Sequence, residues 1–187
     1  MEHKGTVKIE TERLVLREFV MDDTEAAFRN WNSDSKVTKF LCWSTVGDIS
    51  ESEKIMRSWV DRYTDKSFYQ WAIVPKDFGE PIGTISVADM DERTEKVQIG
   101  YCIGSKWWGQ GYTSEAFSAI IPFFFQEVKA KRIEARHDPN NPNSGSVMKK
   151  CGLQYEGTLR KADWNNQGIV DACIYGLLAD DYFKSVK

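Results

Sequence analysis

The chain has 187 residues, 41% of them hydrophobic, with 25 basic against 28 acidic side chains and a net charge of -3. That length supports one ordinary domain with its own core, spanning residues 1–187. The charge balance excludes the basic footprint of a nucleic-acid binder and suits a neutral or cationic small partner.

In chain order, MEHKGTVKIETERL carries no apolar core of the kind an export signal needs, and no later stretch reaches membrane-spanning length, so the expected compartment is the cytoplasm, with no membrane partner. RLVLREF alternates apolar and charged residues at strand period, and Asp22 and Asp23 then supply the acidic first turn of a helix through EAAFRNW. A second helix is predicted over ISESEKIMRSWVDRY, where Ile55, Met56, Trp59, Val60 and Tyr63 recur at helical spacing behind a serine that can cap it. YQWAIVP and PIGTISVADM read as strands joined by a hairpin turn at KDFGE. VQIGYCIG is a further strand, in which Gly100 signals a bulge or a close approach to the backbone.

EAFSAIIPFFFQEVKA is a long apolar helix, expected to bend at Pro122, which lacks a backbone donor. RIEARH is a strand, DPNNPNSG a loop, SVMKKCG a short helix, and LQYEGTLRKADW and VDACIYGLL two antiparallel strands. No repeat or linker divides the chain, so the fold class is α+β, three-layered, with a central mixed sheet flanked by helices. Cys42, Cys102, Cys151 and Cys173 are scattered, with no C-x-x-C and no histidine pair. They read as reduced, packed thiols, and no metal is expected.

WWGQGYTSEA stands between a strand and a helix. Unpaired amides and the positive end of a helix dipole converge at such a junction, which suits an anion such as phosphate. Gly109 and Gly111 allow close approach, and Thr113 or Ser114 can cap the helix. Glycine spacing alone favours a plain turn, and dinucleotide binding is disfavoured because a third glycine is missing and the preceding strands form hairpins.

Read with their flanks, IGYCIGSKWWGQGYTSEA and RIEARHDPNNPNSGSVMKKCGLQYEGTLR resemble the acetyl-CoA-binding core of the GNAT superfamily of N-acetyltransferases. The likeness is to the branch of Rim-type ribosomal-protein N-acetyltransferases, and it extends from TERLVLREF to VDACIYGLL. It implies a mostly antiparallel, twisted sheet with a splayed strand pair forming the acetyl-CoA cleft. The family's pyrophosphate loop falls on Trp108 to Thr113. Gly111 matches outright, Trp108 replaces the usual polar first residue, and Thr113 replaces a small last one. The implied phosphate contacts are Gly109, Gln110, Gly111, Tyr112 and Thr113. Backbone groups of Tyr101, Cys102 and Ile103 would pair with the pantetheine arm, one N–H facing the thioester oxygen.

Amine attack on a thioester builds charge on that oxygen, and the departing thiolate gains from a proton donor. Many superfamily members supply the donor from a tyrosine where this chain has Met148. The Rim-like pattern Asn-x-x-Ser falls on Asn143 and Ser146, which makes Ser146 the implied acid, with capping of the following helix an equal alternative. Asp163 falls where the branch can carry an acid near the acceptor amine. It reads as base or substrate contact, or as a solvated acid beside the Asn165-Asn166 turn. Glu115 reads as a favourable charge at a helix N-terminus, His137 and Asp171 as structural, and Cys102 as a buried thiol rather than an acetyl carrier. Trp43, in the irregular FLCWSTVGD, is the expected acceptor contact, whereas most other tryptophans belong to the core.

The implied activity is acetyl transfer from acetyl-CoA to a primary amine, either a protein N-terminus, ribosomal or other, or a small polyamine, amino sugar or amino acid. A non-catalytic acyl-CoA-binding module is the alternative of different class. A homodimer is compatible with either.

Overall fold

The computed structural model describes residues 1–185. Its centre is an eight-stranded sheet in the order β1-β2-β3-β4-β5-β6-β8-β7. The strands are β1 (Ile9–Glu10), β2 (Leu14–Arg17), β3 (Gln70–Pro75), β4 (Gly83–Asp91), β5 (Lys96–Ile103), β6 (Arg132–His137), β7 (Gln154–Asn165) and β8 (Gly168–Leu178). Neighbours pair antiparallel except β5 with β6, which run parallel. The sheet is therefore mixed and mostly antiparallel, as expected. YQWAIVP is apolar without alternation because β3 is central and buried on both faces.

The strand period sorts the core into two layers. Trp71 and Ile73 face a core shared with α4 (Tyr112–Pro122) and α5 (Pro142–Lys150). Their neighbours Ala72 and Val74 face the other way, onto a smaller core with Trp31, Val37 and Met56. That second layer comes from α1 (Thr24–Ala27), α2 (Ser35–Thr38) and α3 (Ile49–Val60). A last helix, α6 (Ala179–Ser185), was not anticipated from the sequence.

Several local expectations are corrected. The cap of α3 is Asp48, whose carboxylate accepts from the Ser50 amide at 2.7 Å, not a serine. EAAFRNW is not one helix. Asp23 turns inward to accept both guanidinium nitrogens of Arg17 at 2.7 and 2.8 Å, and α1 passes into a π-turn over Phe28–Asn32. The bulge signalled by Gly100 sits on its partner, where β4 shifts register between Val87 and Asp89. Gly100 leaves room for it, since a Cβ there would stand 3.3 Å from the Ala88 Cβ. The break at Pro122 takes the form of a change of ladder, from α4 into a π-turn at Phe123–Glu127. SVMKKCG begins earlier than expected: Pro142 opens α5, and Gly145 lets the helix lie on His137, whose Nε2 would be 2.5 Å from any Cβ at that position.

Candidate active site

The parallel ladder between β5 and β6 ends at Gln98 and Glu134, after which β6 follows β8 out to His137 while β5 continues to Ile103 paired with β4 alone. Strand geometry then decides which groups of β5 are open. The Gly104 amide donates to Ile82 at 2.9 Å, so Gly104 and Cys102 turn their backbone groups to β4, and Tyr101 and Ile103 turn theirs into the gap. The Cys102 thiol is buried, which pushes it up to about 12 and leaves no thiolate for acyl transfer near neutrality. The Ile103 carbonyl accepts from the Trp108 indole N–H at 2.9 Å.

Beyond Ile103 the chain turns through Ser105–Trp107 and Trp108 to Gly111, the N-cap of α4, whose φ of 84° is left-handed. No side chain caps this helix, so neither Thr113 nor Ser114 plays that part. The amides of Gly109, Gln110 and Gly111 have no protein acceptor among the described residues, and the first turn of α4 begins at Tyr112 and Thr113. The result is a set of free donors at a helix N-terminus. Gln110 points its side chain away, to the Lys106 carbonyl at 3.0 Å. Arg13, which the sequence did not single out, holds the loop from behind: its Nη1 donates to the Gln110 carbonyl at 3.1 Å, and its guanidinium lies 4.6 Å from the Tyr112 ring centre.

On the opposite wall, the Tyr101 hydroxyl spans the gap to α5, 2.9 Å from both the carbonyl and the Oγ of Ser144. Burial raises the Tyr101 hydroxyl well above its ordinary value, so it stays protonated. Ser146 is not the helix cap. It is exposed within α5 and its Oγ donates to the Pro142 carbonyl at 3.1 Å. Met148, where a tyrosine acid would stand, is 1% exposed and belongs to the core.

The far side is closed by the segment after α2. Asn166, in the β7–β8 turn, donates from Nδ2 to the carbonyls of Thr38 at 2.8 Å and Trp43 at 2.7 Å, and from its amide to Leu41 at 3.1 Å. Its neighbour Asn165 is buried and donates to the Asp138 carboxylate at 2.9 Å. Trp43 packs on the smaller core. Asp163 is paired with the Arg136 Nε at 2.9 Å and its Oδ1 accepts from the Trp164 amide at 2.9 Å. Asp171 has the structural part expected of it, accepting from the Lys161 amide at 2.9 Å where β7 changes register.

These elements enclose one cleft of 360 Å³, in which Tyr101, Cys102, Ile103, Gly109, Gly111, Tyr112, Thr113, Asn143 and Ser146 all take part. Gln110, Trp43 and Asp163 stand outside its lining. Lys36, Val37, Phe40 and Leu41 close it from the α2 side, in the segment from which the sequence singled out Trp43 instead. Among the described residues no group of three or more His, Cys, Asp or Glu is placed to hold a metal ion.

A splayed sheet beside a helix N-terminus with free amides is the architecture of an acyl-CoA-dependent acetyltransferase. The model of the acetyltransferase (GNAT) domain family matches residues 13–154, and the chain belongs to that family. It is 30% identical over 172 residues to "Uncharacterized N-acetyltransferase p20" of Bacillus licheniformis, covering 92% of this chain and 96% of the relative. It is 28% identical to the "[Ribosomal protein uS5]-alanine N-acetyltransferase" of Escherichia coli, over 81% of this chain and 80% of that one. The crystal structure of a GNAT-family acetyltransferase from Bacillus anthracis superposes with a TM-score of 0.81 at 26% identity, covering 93% of this chain and 99% of that one. The protein is an acetyl-CoA-dependent N-acetyltransferase.

Proposed function

We propose that the chain acts as a single domain that acetylates the N-terminal amine of a protein, ribosomal or other. The observation that carries the reading is the single cleft joining the open edge of β5, the amides around Gly111 and the wall formed by α2. The pyrophosphate binds the amides of residues 109 to 113, and the pantetheine arm lies along Tyr101 and Ile103. The Tyr101 amide faces the thioester oxygen. One such donor is worth roughly 3 kcal/mol of barrier. Ser146, lining the cleft beside Asn143, gives its hydroxyl proton to the sulfur as the C–S bond breaks and regains one, through water, from the amine nitrogen as the C–N bond forms.

A protein acceptor is supported by the relative from Escherichia coli, whose name gives a ribosomal-protein alanine as its substrate. Trp43 and Asp163 belong to the approach rather than to the cleft itself. A proton reaches Asp163 only through water in this reading, because its carboxylate is engaged by Arg136. The test is CoA release with N-terminal peptides, polyamines, aminoglycosides and amino acids in parallel. Turnover of peptides above the rest is expected, and turnover of small amines alone would replace the protein acceptor.

A further inference from the structure

Trp107 and Trp108 are adjacent yet differ in role. Both line the cleft, but Trp107 is buried and packs against Gly104, while Trp108 is 46% exposed. The Trp108 indole reaches back five residues to the Ile103 carbonyl. That bond consumes an acceptor on the part of β5 that β6 leaves unpaired. What remains on the open edge is the Ile103 amide, then the carbonyl and amide of Tyr101, in that order away from the pyrophosphate loop. A strand-like arm can slide along an edge whose donors and acceptors repeat every second residue. An edge with one acceptor already used does not repeat.

We propose that Trp108 sets the register in which the pantetheine arm docks on β5, by keeping the Ile103 carbonyl closed to it, so that the thioester oxygen meets the Tyr101 amide. Trp108 is thus a positioning residue, and the proposal rests on the acetyl-CoA reading of the cleft. The indole places a ring on the cleft wall, with a single donor directed at the strand edge. Freeing the carbonyl gives the arm a second register, displaced by two residues of β5, in which binding persists but the thioester oxygen leaves its donor.

The test is Trp108→Phe, which keeps a ring and removes the N–H, examined with acetyl-CoA labelled with carbon-13 at the thioester carbonyl. Calorimetry is expected to give an affinity within about threefold of wild type, because a freed acceptor compensates for the lost indole. The carbonyl resonance, displaced on binding to the wild type by its hydrogen bond, is expected to lose about half or more of that displacement in the variant. An unchanged resonance overturns the proposal, as does an affinity loss of about tenfold with the resonance unmoved, which makes Trp108 a binding surface only. Should the variant fail to fold, wild-type protein labelled at backbone carbonyls decides. CoA should move the Tyr101 carbonyl signal and leave that of Ile103 in place, and a displaced Ile103 signal overturns the proposal. Absence of any binding by the wild type would instead overturn the cofactor reading, a distinct result.

Discussion

Arg13 and Glu115, far apart in sequence, form an ion pair at 2.6 Å that ties β2 to the first turn of α4. Glu115 also accepts from the Thr11 hydroxyl at 2.6 Å and the Arg13 amide at 3.0 Å. Its carboxylate therefore anchors the start of the strand, while the guanidinium reaches on to the Gln110 carbonyl and holds the glycine turn before α4. Arg13→Ala is expected to lower acetyl-CoA affinity by roughly three- to tenfold through the loosened loop, with about 1 kcal/mol lost in stability because the arginine is partly exposed. Calorimetry and a denaturant titration measure the two separately.

Burial raises Glu115, but the hydrogen bonds from Thr11 and Arg13 together with the Arg13 charge outweigh it and hold the carboxyl below its ordinary value. A carboxyl lowered by folding contributes stability that is fully present above its unfolded value, and this is lost as pH falls through the folded one. Glu115→Gln should thus be less stable than wild type at neutrality. The gap should close on acidification below about pH 4. Thermal melts across that range check the sign, and a gap that widens in acid would contradict it.

Gly111→Val should strain the left-handed cap and put a side chain where the pyrophosphate approaches, lowering acetyl-CoA affinity by about tenfold or more. Gln110→Ala should leave affinity within about twofold, since the side chain faces Lys106 and the amide persists. Equal affinity in both variants, with the fold intact, would remove the phosphate site.

Ser146→Ala removes a hydroxyl that donates to a carbonyl of its own helix. Stability should change by less than about 0.5 kcal/mol. Turnover should fall by about tenfold or more with acetyl-CoA binding preserved. Equal turnover would exclude Ser146 as the acid.

Asp163→Asn breaks the pair with Arg136. If the carboxylate takes the amine proton through water, kcat/KM should fall more at low pH than at high pH, where free amine is already present. If it only attracts the ammonium, the apparent KM should rise and the effect should fade with salt. Coincident profiles for wild type and variant at every pH and salt concentration would exclude both roles.

The sequence by itself determined most of the strands and the glycine turn that opens α4. Period-two alternation in RLVLREF, the unbroken apolar run of YQWAIVP and the glycines before YTSEA are local signals, written within a few residues and read without knowing the neighbours. Tertiary structure decided everything that depends on distant partners. Glu115 looked like a dipole charge until Arg13 met it, and the Asn165-Asn166 turn looked like a plain turn until it clamped Thr38, Leu41 and Trp43. Ser146 looked like a cap until Pro142 began the helix four residues earlier. The division has one physical cause. Propensity and patterning act over a turn or a strand, whereas an ion pair, a clamp or an open strand edge exists only once folding has brought together groups that the chain places tens of residues apart.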